Sequence, residues 1–370
     1  MQVAVVSPAR WSLFRLSKQY LSLAFASLGH DVLYVDPPVS VASTVRDRDR
    51  MRDLRGPRME AAATGLRVWH PVVAPGQNSH LGQRLNAALL RRGITRALPH
   101  LDLTVAFSLE SRTVLPSLSG TRVYYCTDSF EDLPGSDAAQ LRRWEGELIG
   151  GADVVVGCSL PLCEQLAARG AQPVYLPHAT DDDALTEPGP MPAELARLPR
   201  PLVAYLGSLN FRIDHTLLEA ARDGAGDGTV VIIGDDYGPR MDPRSAALLR
   251  APNVVAIGHR PGHQLSTYLA AVDVGIVPYS PAPFNRKSFP IKVLQYLAAG
   301  LPVVSSSNGA TDELGDAVSV ADDPGAFADA VRRSAADDDA GARRGRRALA
   351  ASRRWTDNAT RLIALAETAS

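Results

Sequence analysis

Short β-branched apolar runs alternate along the chain with longer stretches whose apolar residues recur at helical spacing, and the rhythm occurs twice. The first run, "VAVVSP" over 3–8, predicts a strand. "FRLSKQYLSLAFASLG" over 14–29 predicts a helix closed by Gly29, and "DVLYVDPP" over 31–38 a second strand. Strands apolar on both faces point to a parallel sheet covered by helices. Further strands are expected at 66–72, 103–109, 121–127, 152–159 and 173–178, with helices over 80–98, 137–150 and 159–169. Residues 179–200, "ATDDDALTEPGPMPAELARLPR", then break the pattern: they are polar, acidic and proline-rich, a linker with room for one helical turn. The alternation restarts with strands at 201–209, 228–235, 253–258, 273–279, 301–307 and 316–322. At 370 residues the chain exceeds what one core usually absorbs. The expectation is an α/β protein of two Rossmann-like domains facing one another across a cleft. Its divisions are a domain over 1–180, a linker over 181–200, a second domain over 201–352 and a helical segment over 353–370. In such sheets ligands sit beyond the carboxyl ends of the strands.

A net charge of -1 argues against a dedicated nucleic-acid binder. Positive charge is almost all arginine. Lys18, Lys287 and Lys292 are the only lysines, and two of them fall in "NRKSFPIKVLQYLAAGLPVVSS", residues 285–306. Cys126, Cys158 and Cys163 are odd in number and lack zinc spacing, so they read as buried free thiols in a reducing compartment. "MQVAVVSPARW" runs straight into a strand, so no signal peptide is expected, and no apolar run has membrane-spanning length. The expected location is cytoplasmic.

The stretch 285–306 carries the densest chemistry. Pro290 suits the first turn of a helix running to about Ala299. Unpaired N–H groups and the macrodipole make that helix mouth an anion site. Lys292 sits two residues inside, unfavourable against the dipole unless an anion is bound, and Gln295 follows at i+3 on the same side. A solvated helix mouth ringed by Arg286, Lys287 and Lys292 is the ordinary alternative. Gly207 in "YLGSLNFRIDH" follows a strand directly, with Asp214 near the start of the next helix; such a turn can face a phosphate or be a plain βα turn. Neither GxGxxG nor GxxxxGK[ST] is present. Asp128, opening "DSFEDLPG", and Glu110, after "VAFSL", lie where a reacting carboxylate belongs, and where ordinary caps also occur. His178 in "LPHATD" and His259 in "IGHRPGH" close strands, positions more often structural than catalytic. No serine sits on a G-x-S-x-G elbow. The run over 46–58 alternates arginine with aspartate and reads as solvated surface. The helix near it carries Leu81, Leu85, Leu89 and Leu90 with Arg84, Arg91, Arg92 and Arg96, a cationic rim for an anionic acceptor or a lipid surface.

Four segments, "ADVVVGCSLPLCEQLAARGAQPVYLPHATD", "PLVAYLGSL", "IGHRPGHQLSTYLAAVDVGIVPY" and "FPIKVLQYLAAGLPVVSS", make the chain resemble the GT-B-fold glycosyltransferases. The likeness is to the bacterial retaining enzymes of the large mannosyl/glucosyltransferase family that use nucleotide-sugar donors. It runs through most of the chain, and the last two segments, in order and at this spacing, are its most specific part. The resemblance implies GT-B architecture, with acceptor on the first domain and donor on the second. It further implies no divalent metal, no cofactor besides the nucleotide-sugar substrate, and a final helix crossing back to the first domain. Lys292 matches the family's basic residue, Gln295 its ribose-holding glutamate, and Lys287 an earlier glutamate; both acidic positions are therefore absent. The donor-binding set so implied is Gly207, Ser208, Asn210, Arg212, His259, Lys287, Pro290, Ile291, Lys292 and Gln295. His178, where the family often has asparagine, and Arg84 are assigned to the acceptor side, and Asp128, Glu110 and Lys292 are the catalytic candidates. Retention implies front-face attack in which the leaving phosphate takes the acceptor proton, so no protein base is required. The expected function is hexose transfer from a nucleotide sugar to a hydroxyl on a glycan, lipid-linked sugar or metabolite, with no nucleic acid and a peripheral contact with the membrane surface. The alternatives are a non-catalytic nucleotide-sugar-binding partner, favoured by Gln295 and Lys287, and a sugar-nucleotide epimerase, for which dense catalytic carboxylates are missing.

Overall fold

The computed structural model describes residues 1–11, 15–40, 58–75, 79–180, 188–234 and 242–369. Its contacts divide the chain into two units, Met1–Pro177 with Trp355–Ser370, and His178–Arg354.

The first unit is built on β1 (Gln2–Val6), β2 (Asp31–Val35), β4 (Met59–Ala63), β5 (Leu66–Trp69), β7 (Leu101–Ala106), β8 (Thr121–Cys126), β9 (Val154–Gly157) and β10 (Val174–Tyr175). Their order is β10-β9-β8-β7-β1-β2-β5-β4, parallel except where β4 runs antiparallel to β5. β3 (Val39–Ser40) and β6 (Val72–Val73) form a separate parallel pair. Helices α1 (Ser17–Ser27), α2 (His80–Ala97), α3 (Ala138–Gly151) and α4 (Leu160–Ala167) follow in chain order, and α13 (Trp355–Ala369) completes the unit. Helix α2 sets Ile94 and Leu98 against Ala4, Leu33 and Val35. Gly93 is what allows it to lie so low, because a Cβ there would meet the Trp69 ring at 2.1 Å. Helix α13 buries Trp355, Ala359, Leu362 and Ala366. Trp355 stacks on Tyr20 of α1 at 6.2 Å, and Asn358 donates to Pro177 O at 2.8 Å. Burying a residue such as Leu362 contributes about 1.5–3 kcal/mol.

The second unit has a fully parallel sheet of β11 (Leu202–Leu206), β12 (Thr229–Ile233), β13 (Val254–Ala256), β14 (Val274–Val277), β15 (Val303–Ser305) and β16 (Val318–Val320), ordered β13-β12-β11-β14-β15-β16. Its helices are α5 (His215–Ala225), α6 (Pro243–Leu248), α7 (Gly262–Ala270), α8 (Pro283–Lys287), α9 (Ile291–Ala299), α10 (Thr311–Leu314), α11 (Pro324–Ala336) and α12 (Ala340–Ala351). Val230, Val231, Ile232 and Ile276 are fully buried in the sheet. Strand order reverses between β1 and β7 in the first unit and between β11 and β14 in the second. At such points the chain departs in opposite directions and leaves a crevice at the carboxyl ends.

Several local expectations change. Most apolar runs outlast their strands, as in the 31–38 run, whose strand stops at Val35, whereas β1 and β7 begin before theirs, at Gln2 and Leu101. Strand β4, "MEAAA", has no β-branched residue and is largely exposed, an edge strand that periodicity does not reveal. Residues 188–200, read as linker, group with the second unit: Leu195 is buried, and Leu195 and Ala196 donate to Pro192 O. The arginine–aspartate run lies outside the described residues except for Arg58.

Candidate functional site

In the second unit the chemistry collects at the reversal of strand order. The loop after β11 and the loop after β14 are laced together: Asp214 N donates to Pro278 O at 2.9 Å, Ser280 N to Arg212 O at 2.8 Å, and Ile213 bridges Tyr279. Gly207 opens the first loop with φ +132°, a conformation that side chains oppose. A Cβ at this position would lie 2.8 Å from Lys292 Nζ, so the glycine makes room for the ammonium. Lys292 donates to the Tyr205 hydroxyl at 3.1 Å, and its charge lies 4.1 Å from the Tyr205 ring centroid and 5.1 Å from that of Tyr279. No carboxylate pairs with it among the described residues. Burial pushes its pKa below the usual lysine value; Tyr279 opposes the shift and the Arg212 charge adds to it.

Arg212 is held more rigidly. Its Nε donates to Asn285 Oδ1 at 3.0 Å and its Nη2 to Ser288 Oγ at 2.6 Å, while the guanidinium lies over Tyr279 at 4.4 Å and Phe284 at 5.1 Å. Asn285 has no solvent exposure and spends its amide on Arg212 O and Ser280. Two clamped N–H groups leave the remaining donors of the fork to a ligand. Pro290 is the N-cap of α9 and offers no side-chain bond to its first turn. The mouth of α9 therefore combines helix N–H groups, Lys292 and, through the laced loops, Arg212. That combination attracts a diphosphate.

The three cations of this stretch are divided between two helices. Arg286 and Lys287 end the short α8, in its last turn, where positive charge suits the dipole, and Lys292 alone lies in the first turn of α9. Of the other expected donor residues, Ser208 supplies a carbonyl to Tyr205 OH and Asn210 Oδ1 accepts from Arg212 N. Ile291 begins α9 and Gln295 is buried one turn on. His259 follows β13, two strands away from β11, and its carbonyl accepts from Arg260. His178, assigned to the acceptor side, belongs to the second unit. Its Nδ1 bonds Phe289 O at 2.9 Å and its ring meets Phe289 edge-on, so it braces the residue before Pro290.

In the first unit the reversal of strand order gathers a different set. Lys18, in the first turn of α1 and buried, donates to Thr127 Oγ1 at 3.1 Å, with its charge 5.6 Å from the Phe107 ring centroid. Thr127 Oγ1 donates onward to Asp128 Oδ2 at 3.2 Å. Asp128 therefore stands in a charged cluster at the end of β8, whereas Glu110 is exposed on a 3-10 turn and bonds Ser108 locally, as a cap does. Arg84 lies on α2 in a groove apart from this cluster. Lys18, Thr127, Tyr205, Tyr279, Asn285 and Ser288 were not singled out by spacing. The rarity of lysine was the one signal that could have drawn attention to Lys18. Among the described residues no three or more His, Cys, Asp or Glu side chains converge as metal ligands, and no helix is long and apolar enough to cross a membrane.

Residues 200–337 match the family model described as glycosyl transferases group 1. A putative teichuronic acid biosynthesis glycosyltransferase, TuaH of Bacillus subtilis (strain 168), is 30% identical over 113 residues, 30% of this chain. The match spans 28% of that relative's length. Sucrose-phosphate synthase from Thermosynechococcus elongatus superposes with a TM-score of 0.74 at 17% identity, covering 99% of this chain and 98% of the other. Anabaena HepE, solved in complex with UDP and glucose, gives 0.70 at 15% identity with full coverage of both chains. An α,α-trehalose 6-phosphate synthase from Burkholderia multivorans gives 0.64 at 14% identity, covering 100% and 99%. These likenesses establish two Rossmann-like domains of GT-B architecture.

Proposed function

We propose that this chain, a GT-B-fold member of the group 1 glycosyl transferases through its residues 200–337, moves a hexose from a nucleotide sugar to a hydroxyl acceptor with retention of configuration. The observation that carries the proposal is Lys292: a half-buried ammonium without a carboxylate partner among the described residues, at a helix mouth and beside a glycine turn that leaves it room. A partly desolvated cation without a counter-ion costs stability unless a ligand supplies the charge.

In this reading the donor diphosphate lies against Lys292, Arg212 and the first N–H groups of α9. Gln295, one turn inside, meets the ribose. As the bond from the anomeric carbon to the diphosphate breaks, negative charge grows on the leaving oxygen, and these fixed donors stabilise it. The acceptor oxygen forms its bond on the same face, and its proton passes to the departing phosphate, which leaves as nucleoside diphosphate. Fixed cationic side chains supply the charge, so no divalent metal or further cofactor is invoked. Asp128, with Thr127 and Lys18, is assigned to orient the acceptor hydroxyl in the first unit. The relation to TuaH supports an acceptor in polysaccharide synthesis, and the solved HepE complexes make UDP-glucose the first donor to try. The exposed Leu81, Leu85 and Leu89 on one flank of α2 support a peripheral contact with a membrane surface.

The second reading, a binding partner without turnover, is favoured by the buried Gln295, at the position where the family resemblance implies a glutamate. One experiment separates the two. The full chain is incubated with a panel of nucleotide sugars, and release of nucleoside diphosphate is followed together with the anomer of the freed sugar. Release with the donor's anomeric configuration is expected. Binding without release supports the partner reading, and neither binding nor release overturns both.

A further inference from the structure

We propose that a groove on the first unit, between α2 and the turns after β7, binds the acceptor as an anionic oligomer: a glycan chain bearing a carboxylate or phosphate on successive units. This deepens the transferase reading and rests on it. The groove encloses about 830 Å³ and is lined by Arg84, Arg91 and Arg92 from α2 and by Arg112 and Glu147 opposite. Glu147 is the one carboxylate among the lining residues, and Arg112 holds it at 3.0 Å. Arg112 itself is only 6% exposed and lies on the Trp144 ring at 4.0 Å, so one guanidinium of the wall is fixed in place. Arg84, Arg91 and Arg92 are exposed, with no ion pair among the described residues.

Three unneutralised guanidinium groups lining one side of a groove build a local positive potential that favours an anionic ligand. The planar fork of arginine suits carboxylate and phosphate oxygens two at a time. Arg84 and Arg91 stand seven residues apart, roughly 10 Å along the helix axis. A single carboxylate or phosphate reaches one end of that span, whereas a chain with repeated charges reaches both. Nucleic acid is disfavoured because no aromatic side chain lines the groove as a stacking platform. A lipid surface fits less well, because Leu81, Leu85 and Leu89 lie outside the lining and a bilayer is flat where this site is concave.

The test titrates the full chain with oligogalacturonate, with a glycerol-phosphate oligomer, and with a neutral maltooligosaccharide of equal length, at low and high salt. At least one anionic oligomer should bind, more weakly as salt rises, while the neutral oligomer does not. Arg84→Glu with Arg91→Glu should weaken that binding by about tenfold or more, and Arg96→Glu, on the same helix outside the groove, should not. Equal binding of neutral and charged oligomers overturns the proposal. So does a charged monomer, galacturonate or inorganic phosphate, that binds as tightly as its oligomer. Phosphatidylglycerol vesicles that bind through Arg84 and Arg91 while both oligomers fail would overturn it in favour of a lipid surface. Donor turnover is read separately on the unmodified chain, so oligomer binding without turnover defeats the transferase reading and leaves the groove standing.

Discussion

Replacing Lys292 by methionine should move stability and donor binding in opposite directions. The ammonium is held against two tyrosine rings, with the hydroxyls of Tyr205 and Tyr279 as its partners, and burial lowers its pKa. A folded-state pKa below the unfolded value means that the unfolded chain binds the proton more tightly. At neutral pH the charge therefore opposes folding, and the opposition fades as pH rises from the lowered native pKa through the ordinary lysine value of 10.5. Cation–π attraction offsets part of this, by about 0.5–2 kcal/mol. Methionine fills the stem's volume without a charge, so the variant should melt higher, by roughly 2–4 °C for each kcal/mol relieved in a unit of this size. The gain should shrink at alkaline pH. On the ligand side, a charge-assisted hydrogen bond to phosphate is worth about 1.5–3 kcal/mol, so the dissociation constant for nucleoside diphosphate should rise roughly 10- to 150-fold. Thermal melts across pH and titration calorimetry give the two numbers on one preparation. A variant that melts lower and binds diphosphate as before would show the lysine to be a prop for Tyr205, and the donor site would have to be sought elsewhere.

Three further outcomes are expected. Gly275→Ala would set a Cβ 2.4 Å from the Tyr296 ring, which is fully buried and whose hydroxyl accepts from Leu206 N at 2.6 Å, so denaturant melts should show a loss of about 1–3 kcal/mol; unchanged stability refutes the overlap. Burial pushes the Cys126 thiol up to about 12, so iodoacetamide at pH 8 should spare it in the native protein and reach it after unfolding. Mass mapping that finds native Cys126 alkylated would contradict this. Hydrogen bonds from Tyr268 and Arg260 hold Glu194 down to about 2 from its ordinary 4.5. The stabilisation is in place above 4.5 and is lost as pH falls towards 2, so Glu194→Gln should flatten the acid limb of the stability profile across that window, and superimposable limbs would exclude the effect.

The alternation of strands and helices was readable because strands buried on both faces leave unbroken apolar runs. Strand ends were not, since they depend on partners far away in sequence. The 31–38 run stops at Val35 because Asp36 turns to accept Trp11 N–H at 2.8 Å and to bond His70 at 2.7 Å. The helix at 291–299 was readable from Pro290 at its start and from Gly300, whose φ of +84° closes it. The box around Lys292 was not, because Tyr205, Tyr279 and Asn285 come from three segments that meet only where strand order reverses. Lys18 was visible as a rare residue type, yet its partner Thr127 lies 109 positions away, beyond the reach of any local pattern.

The first unit is made of two stretches, and the whole second unit lies between them in the chain. Its last piece, α13, brings Trp355 onto Tyr20 and buries Leu362 and Ala366. A ribosome delivers residues in order, at about 5–20 per second, so the second unit's residues emerge while the first still lacks its closing helix, for roughly ten seconds or longer. The domain that begins first is therefore finished last. Until Trp355 arrives, the face of α1 around Tyr20 is wet and adhesive, the kind of surface that chaperones hold. A nascent chain stalled at Arg354 would carry a contiguous second unit and an open, aggregation-prone first one.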